Sequence, residues 1–117
     1  MRVVEVITNL NVPDIDQARA FYSGFLGLST EEMNLGWVAR FSQPDDSDVY
    51  VQLVTQDKTA PVDSVATLKV DDVDAAYAEA RAAGVEIVHP LGTEEWGVRR
   101  FFVRAPDGNV FNIAQAH

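Results

Sequence analysis

Residues 10–20 read LNVPDIDQARA, and this stretch decides the fold because it recurs as LKVDDVDAAYA in residues 68–78. Each copy has the pattern of a strand followed by the start of a helix. A chance match of this length would not also be flanked by the same order of elements, so we predict an internal duplication. Six of the aligned pairs are identical, namely Leu10/Leu68, Val12/Val70, Asp14/Asp72, Asp16/Asp74, Ala18/Ala76 and Ala20/Ala78.

Both copies carry helix-boundary signals at equivalent positions. Asp14 has the position of an N-cap with Gln17 three residues later, which is the capping-box spacing, and Gly27 lies where a left-handed C-terminal cap is common. The second copy repeats the plan with Asp72 and Gly84. Apolar residues follow each cap at helical spacing. We therefore predict one amphipathic helix per copy, ending at these glycines.

Three strand-like segments follow each predicted helix, separated by turn signals rich in Asn, Asp, Pro and Gly. The chain is thus predicted to be a single α+β domain, residues 1–117, made of two tandem βαβββ modules, about 1–58 and 62–117. The predicted strands cover residues 28–34, 36–43 and 48–55 in the first module and 85–89, 98–104 and 109–115 in the second.

Alternation along the strands assigns their faces. On the first strand, the face expected to pack on the helix holds Val4, Val6, Leu10 and Val12, and Ile7 lies on the other face. The same pattern leaves each module with one sheet face that mixes apolar and amide side chains. Two such sheets side by side would form a cupped mixed sheet, whose lining has the composition of a small-molecule pocket.

Composition excludes several classes of function. The formal charge of −9 is spread along the chain and would repel phosphate backbones and anionic lipid, so nucleic-acid and membrane partners are not expected. No apolar run approaches the ~18 residues of a membrane span, and no signal-peptide pattern opens the sequence. The absence of cysteine excludes disulfides, thiolate metal sites and a cysteine nucleophile, and it agrees with a cytoplasmic location.

Six motifs together point to one family. They are VPDIDQARAFY (12–22), FLGL (25–28), VDDVDAAY (70–77), AAGVEI (82–87), WGVRRFFV (96–103) and PDGN (106–109). This set resembles the vicinal-oxygen-chelate superfamily, which includes glyoxalase I, bleomycin-resistance proteins, fosfomycin-resistance enzymes and extradiol dioxygenases. The resemblance implies the glyoxalase/bleomycin-resistance fold and a homodimer whose cup is completed by the partner chain. It is specific for fold and weak for chemistry, since this fold hosts many activities.

Enzymes of this superfamily bind a divalent metal in the cup through His or Glu, and the resemblance places those ligand positions at Ile7, Gln52, Val65 and Asn112. Two of these side chains are hydrocarbons, and two are neutral amides whose carbonyls are poor ligands without imidazole or carboxylate beside them. A buried divalent ion would keep its charge uncompensated there. We therefore predict no metal and no cofactor, and we interpret Glu5, on the same face as Ile7, as a rim carboxylate.

The residues predicted to bind a ligand lie on the cup side of the strands or in the loops beside it. An arginine there would select a ligand that carries a carboxylate or another anion, because its guanidinium matches such groups in charge and shape. Amides would orient the ligand, and tryptophan faces would hold a planar group. The predicted ligand-binding residues are Trp37, Arg40, Tyr50, Gln52, Trp96, Arg100, Phe102 and Asn112.

No catalytic residue can be named from the sequence. The two histidines are His89, which precedes Pro90 at the end of a predicted strand, and His117, the last residue of the sequence. No orienting acid is identifiable for His89, so we interpret it as structural or solvated rather than as a general base. No activated nucleophile and no phosphate-cradling glycine loop occur in the sequence.

These observations favour a metal-free small-molecule binding protein, rather than an enzyme, which sequesters an aromatic or anionic metabolite or antibiotic in the manner of bleomycin-resistance proteins. Two alternatives stay open. One is a metal-dependent lyase, isomerase or dioxygenase with divergent ligands, for example Glu5. The other is a metal-independent enzyme that uses Arg100 or Glu5 for acid–base work on a natural product. If the chain is an enzyme, a glyoxalase-like lyase or a dioxygenase is expected.

Overall fold

The computed structural model describes residues 1–116, so His117 lies outside the described residues. Within them the chain forms eight strands and two α-helices, and the first helix runs directly into a π-helical segment, Ala20–Phe25. No helix in this part of the chain is long and apolar enough to cross a membrane. The elements in chain order are β1 (Val3–Asn11), α1 (Ile15–Arg19), β2 (Thr30–Asn34), β3 (Val38–Gln43), β4 (Asp46–Val54), β5 (Ala66–Val70), α2 (Val73–Ala82), β6 (Glu86–Thr93), β7 (Val98–Arg104) and β8 (Val110–Ala116).

Contacts within the chain divide it into two compact units. The N-terminal unit is Thr8–Thr59, and the C-terminal unit combines residues 1–7 with the chain from Ala60 onward. Residues 1–7, which the sequence assigns to the first module, therefore group with the second. Strand β1 contributes to both units, since it passes from one to the other after Ile7.

The N-terminal unit is built on a sheet with the strand order β2-β3-β4-β1. β1 and β4 run parallel, and the other neighbouring strands are antiparallel. The helical segment packs on the face that strand alternation predicts for Leu10 and Val12. The buried core on that face consists of Val12, Ile15, Leu28, Ala39, Phe41 and Leu53, with Leu10, Ala18, Tyr22 and Val51 packed against it.

The C-terminal unit repeats this topology with the strand order β5-β8-β7-β6. β5 and β8 are parallel, and the other neighbours are antiparallel. Both units thus have the order strand, helix, three strands, and the predicted α+β fold of duplicated βαβββ modules is confirmed. The core between this sheet and α2 consists of Val70, Val73, Ala76, Ala80, Phe101, Val103 and Ile113.

Aspartate caps begin both helices, as the repeat predicts. Asp14 Oδ1 accepts a hydrogen bond from the backbone N–H of Gln17 at 3.1 Å, and Asp72 Oδ1 accepts one from Ala75 at 3.0 Å. After α2, Gly84 has a φ of 72°, the left-handed conformation that glycine adopts without a steric penalty. These local signals were readable because a cap depends on neighbours only two or three residues away.

The first helix differs from its prediction in its last two turns. Its α-helical part ends at Arg19, and the wider π-turns of Ala20–Phe25 follow. Ser23 and Gly24, which are weak helix formers, lie in that segment, and this composition favours departure from the regular α-helical ladder. In the same unit β4 begins at Asp46, two residues earlier than predicted.

The prediction that the strand after α2 ends at residue 89 is wrong. β6 continues through Pro90 to Thr93, and its pairing with β7 shifts register on both sides of His89. These irregularities lie between Ile87 and His89 and between His89 and Gly92. Bulges of this kind keep Pro90, which has no N–H to donate, out of the regular ladder.

The expectation that Val4 and Val6 pack on a helix is also wrong. They are 56% and 64% exposed. Of the four apolar residues on that face of the chain, Leu10 and Val12 contact the core beside α1. Val4 and Val6 group with the C-terminal unit, and they are not part of the core that packs on α2 there.

Replacing the cap residue Asp72 with alanine is expected to lower the free energy of unfolding by about 1 kcal/mol, because the N–H of Ala75 loses its acceptor at the helix start. Urea denaturation measures the change. Asp71→Ala is the control, since it removes an exposed carboxylate one residue earlier and leaves the cap in place. Equal losses for the two variants would contradict the capping role.

Candidate functional site

We define the helix-free face of each unit as the sheet face that does not pack on its helix. In the N-terminal unit this face carries Arg40 on β3 and, directly opposite on β4, Gln52. Arg40 Nη2 donates to Gln52 Oε1 at 3.1 Å, and Gln52 Nε2 donates to Asn9 Oδ1 at 2.9 Å. The guanidinium carbon of Arg40 lies 4.6 Å from the centre of the Tyr50 ring. The strand register thus brings together three of the predicted ligand-binding residues.

One hydrogen-bond donor on this face lacks an acceptor among the described residues. The Nε atom of Arg40 is buried and has no hydrogen-bond partner among the described residues. Trp37, the remaining predicted residue of this unit, directly precedes β3, and its carbonyl oxygen accepts hydrogen bonds from the N–H (2.9 Å) and hydroxyl (3.3 Å) of Thr55. These two bonds fix the backbone of Trp37 at the entry to the strand that carries Arg40.

The helix-free face of the C-terminal unit carries a stacked arginine. Arg100 is 2% exposed, and its guanidinium carbon lies 5.1 Å from the Trp96 ring centre and 4.9 Å from that of Phe102. Its Nε donates to Glu94 Oε1 at 3.1 Å. The structure therefore brings three predicted residues together and gives Arg100 an internal counter-ion that the sequence did not reveal.

His89 joins this cluster, although the sequence offered no orienting group for it. Its Nδ1 donates to the carbonyl oxygen of Pro90 at 2.7 Å, and its Nε2 lies 3.7 Å from Glu94 Oε1. The ring also lies 5.4 Å from that of Phe102. Glu94 reaches His89 because β6 continues past Pro90. The sequence signal that could have indicated this is the Glu94–Glu95 pair in the turn before Trp96.

Asn112 lies on the same face, opposite Phe102 on β7 and Thr67 on β5. Its Nδ2 donates to Thr67 Oγ1 at 3.3 Å. Its Oδ1 is buried and has no partner among residues 1–116. Among the side chains that the structure describes, each unit thus holds one buried N or O atom without a hydrogen-bond partner, and in both cases the atom belongs to a predicted ligand-binding residue.

The side chains at the four positions where the resemblance places metal ligands do not fit a divalent metal. In the N-terminal unit, the carbonyl oxygen of Gln52 already accepts from the Arg40 cation, which would repel a metal ion at the same oxygen. In the C-terminal unit, Asn112 supplies one neutral oxygen, while Ile7 and Val65 supply hydrocarbon only. Within residues 1–116 no group of three His, Cys, Asp or Glu side chains is placed to hold a metal.

Glu5, the alternative metal ligand considered from the sequence, lies in the C-terminal unit. One of its carboxylate oxygens is 3.9 Å from the Lys69 ammonium. This ion pair fits the interpretation of a half-exposed rim carboxylate better than that of a metal ligand.

A shallow polar cleft of about 360 Å³ lies elsewhere on the N-terminal unit, at the start of α1. Its polar groups already serve the local fold, since Asp14 caps the helix and Asn34 Oδ1 accepts from the N–H of Gly36 at 2.8 Å. None of the predicted ligand-binding residues lines it. The lining consists of Pro13, Asp14, Ile15, Asp16, Asn34, Gly36 and Thr55.

The chain matches the family model described as the Glyoxalase/Bleomycin resistance protein/Dioxygenase superfamily over residues 4–113. A search of curated proteins finds no match. Among solved structures, a glyoxalase/bleomycin resistance protein/dioxygenase superfamily member from Vibrio splendidus 12B01 is 21% identical, with a TM-score of 0.71 over 95% of this chain and 97% of that one. Methylmalonyl-CoA epimerase from Mycobacterium tuberculosis is also 21% identical, with a TM-score of 0.71 over 98% of this chain and 89% of that one.

A third similar structure is the Mn(II)-bound glyoxalase from Novosphingobium aromaticivorans. It is 26% identical, with a TM-score of 0.66 over 97% of this chain. The present chain spans only 39% of that protein. The two likenesses at 21% identity show the fold alone, since this fold carries several activities.

Proposed function

Because the chain belongs to the glyoxalase/bleomycin resistance protein/dioxygenase superfamily, we propose that it is a metal-free small-molecule binding protein of this type. Its ligand would be an aromatic or anionic metabolite or antibiotic. The observation that carries the proposal is the Oδ1 atom of Asn112, a buried acceptor without a partner among the described residues.

An unpaired buried carbonyl oxygen is unfavourable by about 1–3 kcal/mol, so folded proteins keep few of them unless a water or a ligand supplies the donor. Asn112 lies opposite Phe102, whose ring stacks on the Arg100 guanidinium together with Trp96. A planar ligand with an N–H or O–H group could donate to Asn112 while its ring packs on Trp96, which is partly exposed, whereas Phe102 and Arg100 are buried beneath it. The chemistry of this face therefore supports an aromatic ligand with a donor group.

The metal-free character of the proposal is supported by the donors that the chain offers. Two neutral amides and two hydrocarbons stand at the positions where the superfamily's metal ligands are expected, and Gln52 is engaged by Arg40. The glyoxalase from Novosphingobium aromaticivorans is named as Mn(II)-bound. We do not expect the same metal in this chain, because a ligand set without imidazole or carboxylate leaves the charge of the ion uncompensated.

A second candidate function, a metal-independent acid–base enzyme, is favoured by the pair His89 and Glu94. The bond from Nδ1–H to Pro90 fixes the tautomer, so Nε2 carries the lone pair of the neutral ring. Nε2 lies 3.7 Å from Glu94 Oε1, so a ring nitrogen and a carboxylate stand side by side, as acid–base chemistry requires. If the chain is such an enzyme, His89→Gln would abolish turnover of a bound ligand without abolishing binding. If it is a binding protein, there is no turnover for the variant to lose.

Replacing Asn112 with leucine is expected to weaken binding of an aromatic ligand with an N–H or O–H donor by about tenfold, the loss of one buried hydrogen bond. Tryptophan fluorescence titrated against a panel of aromatic antibiotics and metabolites measures the affinity. Leucine removes the unpaired Oδ1 but also the hydrogen bond from Nδ2 to Thr67 Oγ1, at nearly the same volume, so the free energy of unfolding is expected to fall by about 1 kcal/mol.

Asn109→Leu is the matched control, since Asn109 is an exposed amide of the same unit and should leave the affinity unchanged. The same preparation, purified without added metal, is analysed for bound metals by mass spectrometry. About one transition-metal ion per chain that is lost in Asn112→Leu would overturn the metal-free proposal. Unchanged emission across the whole panel would count against ligand binding near Trp96.

A further inference from the structure

We infer that Arg40 is an anion-recognition residue, which binds a carboxylate or another small oxyanion group carried by the ligand. The inference deepens the proposed function and rests on it, since it names the charged group that the ligand presents to the N-terminal unit.

Arg40 is a half-buried cation without a counter-ion. Its polar and ring contacts within residues 1–116 are Gln52 and Tyr50, both neutral, although the sequence contains 18 Asp and Glu residues. Arg2 and Arg81 are exposed, so water solvates their charge. The remaining arginines each lie within 3.1 Å of a carboxylate oxygen, namely Arg19, Arg99, Arg100 and Arg104.

The side chain of Arg40 is held in place before any ligand arrives. Gln52 Oε1 accepts from Nη2 on one side, and the Tyr50 ring lies against the guanidinium at 4.6 Å. Gln52 is itself oriented by its bond to Asn9. A guanidinium fixed in this way loses little rotational freedom on binding, which favours recognition of a planar carboxylate.

The donors of Arg40 are largely unused. A guanidinium has five N–H groups, and among the described residues only Gln52 accepts from them. The Nε–H is buried and unpaired. A packing role over Tyr50 would account for the ring contact but not for a buried charged donor without an acceptor. An oxyanion supplies both the acceptor and the missing charge, in a charge-assisted hydrogen bond.

The test uses benzoate as the probe and benzamide as its neutral isostere, with the ¹⁵N-labelled full chain in EDTA. Benzoate is expected to shift the Nε–H resonance of Arg40, which the loss of that peak in Arg40→Met assigns. Arg40→Met is expected to raise the Kd for benzoate at least about tenfold and that for benzamide less than about twofold, because only benzoate forms a charge-assisted bond.

Two further variants keep the test decisive. Arg81→Met is the matched control. Arg81 also lies over a tyrosine ring, 5.8 Å from the centre of Tyr77, but it is exposed. The Arg81→Met variant should therefore bind benzoate as tightly as the wild type. Gln52→Glu is nearly isosteric and gives Arg40 an internal carboxylate. It should weaken benzoate binding about as much as Arg40→Met, and it provides the answer if Arg40→Met does not fold.

The possible failures are distinguishable. If wild-type protein binds panel compounds but benzoate leaves the Arg40 resonance in place, the anion inference is wrong and the proposed function survives. The same conclusion follows if Arg40→Met and Gln52→Glu bind benzoate as tightly as the wild type. If no compound binds the wild type, the proposed function and the inference built on it both fail.

Discussion

Replacing Glu94 with leucine is expected to lower the free energy of unfolding by about 3–5 kcal/mol, because it leaves the guanidinium of Arg100 buried and without a counter-ion. The side chains of Arg100 and Glu94 are 3% and 13% exposed, and their contact is 3.1 Å long. Trp96 and Phe102 lie against the guanidinium, so water has little access to replace the lost carboxylate. Urea denaturation at neutral pH measures the change.

Glu86→Leu is the matched control for this prediction. Glu86 pairs with Arg104 at 3.0 Å in the same unit, but the two side chains are 60% and 38% exposed, so about 0–1 kcal/mol is expected. Combining Glu94→Leu with Arg100→Met should recover most of the lost stability, since an apolar pair replaces the buried ions. Equal losses in the free energy of unfolding for Glu94→Leu and Glu86→Leu would contradict the prediction that the loss depends on burial of the ion pair.

Much of the fold could be predicted from the sequence because its signals are local or repeated. The aspartate caps at Asp14 and Asp72 depend on neighbours two or three residues away. Because the sequence repeats, the helix and strand predictions for one half also apply to the other. The repeated motifs also indicated the superfamily, which the family model confirms over residues 4–113. Strand alternation also placed Arg40 and Arg100 correctly on the sheet face opposite the helix.

The errors arose where a distant partner or a bulge overrides the local pattern. Pro90 resembles the end of a strand in sequence, but two register shifts let β6 continue past it. That continuation brings Glu94 beside His89 and Arg100, and no spacing rule in the sequence predicts it. Alternation predicts Val4 to be a core residue, but it is 56% exposed and lies outside the core that packs on α2, because alternation shows which face a residue is on and not whether a helix covers that part of the face.

The two arginines of the candidate site show why function is harder to predict than fold. By alternation Arg40 and Arg100 occupy the same kind of position, and both were expected to bind anions. Arg100 is satisfied by Glu94 from a turn, whereas Arg40 has only the neutral side chains of Gln52 and Tyr50. The difference lies in a counter-ion that tertiary structure supplies to Arg100 and not to Arg40, and this is why we propose an anionic ligand for Arg40 alone.

Phe101→Ala is expected to lower the free energy of unfolding by about 3–5 kcal/mol, because it opens a cavity in a core that cannot fully collapse. Phe101 is completely buried against α2, where its ring meets that of Tyr77 edge-on at 5.0 Å between centres. Its neighbour Phe102 points to the other face of β7, toward His89 and Arg100. The alanine variant therefore weakens the support beneath the candidate site without altering a residue that lines it.

The magnitude of this loss is checked by urea denaturation against two companion variants. Phe25→Ala removes a ring that is 77% exposed, so its free energy of unfolding should stay within about 0.5 kcal/mol of the wild-type value. Phe101→Leu keeps most of the buried volume and should cost less than about 1.5 kcal/mol. A loss for Phe101→Ala no larger than that for Phe25→Ala would mean that the sheet of the C-terminal unit does not depend on packing against α2.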